Sequence, residues 1–112
     1  MTTNEVAKKW LEKLENPRRW ERELEFNFGD DFLKLGYDID VDDFVGIYGY
    51  RPLNSNIELE KVIDRIINVN MLGNAILGKW RYITHWAEDS VAKPEYVRWF
   101  KIALTRLEEL TR

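Results

Sequence analysis

No cysteine occurs among the 112 residues of this chain, which excludes thiolate catalysis, cysteine-ligated zinc, iron–sulfur clusters and disulfide staples. The absence also fits a reducing compartment. Histidine is nearly as scarce: His85 is the only one, so a metal site built on several imidazoles cannot form within one chain. No apolar run approaches the ~20 residues a membrane-spanning helix needs. The opening Met1-Thr2-Thr3-Asn4-Glu5 has neither the basic start nor the apolar stretch of a secretory signal. A cytoplasmic protein without a membrane partner is therefore expected. Excess positive charge is missing too, with 17 basic against 20 acidic residues, which speaks against a duplex nucleic-acid partner.

What is present is a length suited to one domain, 1–112, able to bury a sizeable core without disulfides or a structural metal. No cofactor is implied. Aromatic residues are abundant, with five each of Trp, Tyr and Phe, and each covers a large apolar area when buried. Charge is unevenly spread: residues 1–56 hold 8 basic and 12 acidic groups, and residues 57–112 hold 9 and 8. The imbalance comes from Asp30, Asp31, Asp38, Asp40, Asp42 and Asp43, which only Lys34 opposes.

Helical signals dominate the chain. Thr2 with Glu5 reads as a capping box, after which Val6, Ala7, Trp10, Leu11 and Leu14 share one face of a helix running to about Glu15. Asn16-Pro17 repeats the start signal for a second, short helix carrying Trp20 and Leu24. Residues 24–48 are ambiguous. Leu33, Leu35, Tyr37, Ile39 and Val41 alternate at the period of a strand, allowing a hairpin from Leu24 to Val41. Alternatively, Asp30 caps a short helix over Phe32 to Leu35 that ends at Gly36, and Asp40 caps another over Val41 to Tyr48. Short helices and turns are favoured. Ser55 and Glu58 form a second capping box ahead of Leu59, Val62, Ile63, Ile66 and Ile67. The apolar arc of Leu72, Ile76, Trp80 and Ile83 lies opposite the face set by Ile63, which predicts a break near Asn68 to Asn70 and a new helix to about Glu88. Pro94 opens the last helix, with Tyr96, Val97, Phe100, Ala103, Leu104, Leu107 and Leu110 on its core side. The fold class expected is mainly α, a small helical bundle of four to five helices with an irregular middle segment.

Motifs that carry chemistry are few. Gly73 to Trp80 matches G-x-x-x-x-G-K, but Trp80 stands where the Mg²⁺-binding hydroxyl belongs, and the stretch is helical in period. Asp38-x-Asp40-x-Asp42 imitates the start of a calcium loop; Asp43 and Gly49 then occupy the positions that require Gly and a bidentate Glu. A solvated acidic loop, or one that meets a basic partner, is the better reading. Lys79-Trp80-Arg81-Tyr82 mixes cations and aromatics as single-strand binders do, yet Trp80 belongs to the core arc, so the run makes no platform. Arg81 and His85 point away from that arc and mark a surface or a ligand pocket, although no base–nucleophile set accompanies them.

The last helix carries a second stripe, Trp99, Ile102 and Arg106, away from its core arc. Trp and Arg are favoured at interface hot spots, and such a stripe requires cover, either from a partner or from the irregular middle of the chain. The function expected is that of a non-enzymatic interaction protein binding a protein partner or itself. The alternative is a small enzyme or ligand-binding domain using a pocket near Arg81 and His85.

Overall fold

A computed structural model describes residues 1–16, 23, 27–38, 56–85 and 93–112, with only the backbone of 56–58. All regular elements among the described residues are helical: α1 (Thr3–Lys13), α2 (Gly29–Lys34), α3 (Asn56–Val62) running into a 3₁₀ turn (Ile63–Arg65), α4 (Val69–His85) and α5 (Pro94–Leu110). The small helical bundle expected from periodicity is the observed architecture. The expected helix around Trp20 and Leu24, the one over Val41 to Tyr48, the Ser55 cap and the end of α4 beyond His85 lie outside the described residues.

The two N-terminal predictions about α1 hold in detail. The Glu5 amide donates to Thr2 Oγ1 (3.2 Å) and the Thr2 amide to Glu5 Oε1 (3.0 Å), so both arms of the capping box are made. Hydrogen bonding to the Glu5 carboxyl from Thr2, by its backbone amide first and its side chain second, holds that carboxyl below its ordinary value. Val6, Ala7, Trp10 and Leu14 are buried on one face, and that face packs along α5. The helices run antiparallel: the Asn4 side chain donates to the Glu108 carbonyl (2.9 Å) at one end, while Trp10 and Phe100 both meet Phe28 further along.

Phe28 organises the core. Its ring stands edge-on to Trp10 and Phe100, with centroids 5.0 and 5.3 Å away, and stacks on Phe32 at 4.7 Å. Such pairs add roughly 0.5–1.5 kcal/mol each beyond area burial.

The region from Phe28 to Tyr37 is helix and turn, and the hairpin alternative is thereby corrected. Gly36 adopts φ 92°, the left-handed conformation that ends a helix. The Gly36 amide donates to the Leu33 carbonyl (3.0 Å) and the Tyr37 amide to that of Phe32 (3.3 Å), the paired bonds of a Schellman cap. The accompanying apolar contact is Phe32 with Tyr37, at 5.8 Å between ring centres. Alternation misled because Leu33 is exposed while Phe32 and Tyr37 are buried, a spacing of five set by the cap rather than by a pleat.

The break ahead of α4 falls where expected. Ile66 is extended and buried, and Asn68 Oδ1 accepts from the Met71 amide (3.1 Å) as an N-cap. Helix α4 is buried on both sides because it lies between α2 and α5. Two close approaches seat it against α2. A Cβ at Gly73 would stand 2.2 Å from the Tyr37 ring, and one at Gly29 would stand 2.3 Å from that of Trp80. Trp80, expected to be wholly internal, is only partly buried and packs at the edge of the core. Gly73 thus belongs to a helix that receives an aromatic ring, which is incompatible with a phosphate-wrapping loop.

Candidate interaction surface

Helix α5 is apolar on its inner side because Tyr96, Val97, Phe100, Ala103, Leu104 and Leu107 recur at helical spacing, and all are buried. The second stripe on this helix is divided by what lies over it. Trp99 is only 2% exposed, so of the two kinds of cover the stripe was expected to need, a partner or another part of the chain, this residue has the second. Its ring meets Phe100 edge-on at 5.3 Å, and Lys79 of α4 closes over it.

Lys79 is the feature that periodicity missed. It is 6% exposed, with its ammonium 5.3 Å from the Trp99 ring centre, 5.5 Å from Tyr96 and 6.0 Å from Tyr82. A lysine can lie this deep because its stem is apolar and ring faces attract a cation. The only sequence signal was Tyr82, three residues on and so on the same side of the helix.

Arg106 is also tied inward. Its Nε donates to the Ile66 carbonyl (3.1 Å) and Nη2 to that of Asp64 (3.4 Å), while Nη1 pairs with Glu109 (3.3 Å). The guanidinium therefore satisfies the carbonyls at the end of the 3₁₀ turn, which no intrahelical amide can reach. In holding that turn against α5 it acts first as a structural clamp, not as a free hot-spot arginine.

Ile102 remains at the surface, partly buried, and with Ile63 and Thr105 lines a groove of about 340 Å³ bordered by Asp64, Lys101, Arg106 and Glu109. Ile67, 75% exposed, follows directly on the carbonyl that Arg106 holds. Glu60 of α3 pairs with Arg98 of α5 along the same junction. An apolar floor with a rim of mixed charge is the anatomy of a protein-contact surface.

The remaining candidates do not join this surface. Arg81 and His85 are exposed; the hydroxyl of Thr84 lies 3.1 Å from His85 Nδ1, and the His85 ring is 6.1 Å from that of Trp80. Asp38 is exposed and its amide donates to Asn74 Oδ1 (2.8 Å); Asp40, Asp42 and Asp43 lie outside the described residues. Among the described residues no group of three potential ligands converges on a metal position, and no helix is long and apolar enough to cross a membrane.

No protein-family model matches the chain, and no curated protein or solved structure is significantly similar to it, so the functional reading stands on geometry and chemistry.

Proposed function

We propose that this chain is one helical domain that works by binding protein, another chain or a second copy of itself, through the outer side of α5 and the adjoining 3₁₀ turn. The observation that carries the reading is the groove of Ile63, Ile102 and Thr105 rimmed by Asp64, Lys101, Arg106 and Glu109. Its floor is apolar enough to gain from burial, and its rim supplies charges that select orientation. The Arg106 bonds to the Asp64 and Ile66 carbonyls fix the two walls relative to each other, so little ordering cost falls on binding. The reading is non-enzymatic and cytoplasmic, and the net charge of −3 argues against a duplex nucleic-acid partner. The pair Arg81 and His85 enters it only as exposed surface.

Parallel capture from native cells with wild type and Ile102→Glu tests the reading, with circular dichroism confirming equal folding. A protein species, this chain or another, held by wild type and lost by the variant is the expected result. Identical retention by both would overturn it.

A further inference from the structure

The outer side of α5 carries a stripe that the groove only partly absorbs. Glu95, Arg98, Ile102, Thr105 and Glu109 follow one another at spacings of three and four, and at about 100° per residue they fall within an arc of about 80°. Ile102 is half-buried and the other four are exposed. The spacing is the one at which two helices stay in register along a left-handed pairing, here with Ile102 as its apolar member and charges on either side.

Read in reverse, the stripe is complementary to itself. An antiparallel pairing with its two-fold axis between Ile102 and Thr105 sets Arg98 opposite Glu109 and Ile102 opposite Thr105. Each of these contacts then occurs twice, as a two-fold axis requires. A parallel pairing would set like charges against each other. Each charged member already has a partner within the chain: Glu95 with Lys93, Arg98 with Glu60 and Glu109 with Arg106. All three nevertheless keep 43–63% of their side chains exposed and can share a second partner.

We infer that the occupant of this surface is a second copy of the chain, paired α5 to α5 in antiparallel fashion, with Arg98 of each copy facing Glu109 of the other. The inference rests on the reading of α5's outer side as an interaction surface. Ile63, at the groove floor beside Ile102, adds apolar area next to the axis.

Sedimentation equilibrium on the purified protein tests it, from about ten micromolar to about one millimolar, since an interface this small is of the weak kind. The wild type should pass from monomer to dimer across that range. Arg98→Glu and Glu109→Arg should each weaken pairing by about tenfold or more, and the double variant should return to within a few-fold of wild type. The intrachain pairs with Glu60 and Arg106 are not restored in the double variant, so recovery reports the contact between copies. A wild type that stays monomeric throughout, or a double variant as weak as the singles, would overturn the inference. In the former case, loss of a different protein on Ile102→Glu in the capture experiment would leave the interaction reading standing.

Discussion

The two long sides of α5 belong to one helix and have had different fates. On the inner side, Phe100 and Leu107 are sealed by α1 and α4 with no exposure, and aromatic rings from three segments interlock there. On the outer side, among the described residues, α3 and its short turn lean against the helix, the turn fastened by the Arg106 guanidinium, and Ile102 is left half-covered. The residue types differ to match: the inner side is apolar throughout, whereas Ile102 is the one apolar residue in an outer stripe of Glu95, Arg98, Thr105 and Glu109. Their neighbours differ too: among the described residues α1 and α4 pack on the inner side, and α3 with its turn lies against the rest of α5. Ile102 and Ile63 are the apolar residues left partly covered there, and the proposed binding gains most from burying them.

The largest effect should come from the sealed side. Phe100→Ala removes the ring that Phe28 and Trp99 contact and should cost on the order of 3–5 kcal/mol, read from the denaturant midpoint; a nearly unchanged midpoint would put the phase of α5 in error. Gly73→Ala should come next, losing about 1–2 kcal/mol because the added methyl meets the Tyr37 ring. In a Tyr37→Ala background the same change should become neutral or favourable, since Ala exceeds Gly in helix preference by about 1 kcal/mol.

On the open side the effects should be smaller and should follow the clamp rather than the charge. Arg106→Ala leaves the carbonyls of Asp64 and Ile66 without their donor and should cost about 1–2 kcal/mol, whereas Lys101→Ala, at the exposed rim, should stay within about 0.5 kcal/mol. Equal costs would mean that Arg106 is only a rim charge. The smallest effect belongs to the α1 cap, whose bonds are exposed. Since the folded-state value of Glu5 is lowered, the stability it adds is complete above the ordinary carboxyl value and is lost as pH falls through the lowered one. The difference in melting temperature between wild type and Glu5→Gln should therefore be widest near neutrality and shrink in acid; a difference independent of pH would show that the carboxylate charge is not what the cap uses.

Much of the fold was legible because its signals are local. The Thr2–Glu5 box, Pro94 at the start of α5 and the phase reversal between Ile63 and Leu72 are each decided by a few neighbouring residues, and each is found as expected. The alternation of Leu33, Leu35 and Tyr37 imitated a strand in sequence alone: Leu33 is exposed, and the buried pair is Phe32 with Tyr37, brought together across the cap by the left-handed Gly36. The candidate surface was half legible. Periodicity set Trp99, Ile102 and Arg106 apart from the core arc, yet Trp99 joins the core, because what covers such a stripe is decided by distant residues. Lys79 reaches Trp99 from another helix, and Arg106 reaches back some forty positions to Ile66. Charge and aromatic content alone could not distinguish a lysine lying over rings from one in solvent.

The division of the outer stripe into a buried Trp99 and a surface Ile102 is the claim on which the interaction reading depends, and thermal unfolding of Trp99→Glu beside Ile102→Glu tests it most directly. A carboxylate at position 99 would be buried among Phe100, Tyr96 and Lys79 and should abolish cooperative unfolding or lower the midpoint severely. One at position 102 turns to solvent and should leave a cooperative, helical protein with a midpoint close to wild type. If both variants collapse alike, Ile102 is core and the groove is no docking surface; if both melt like wild type, Trp99 is not the internal residue described above.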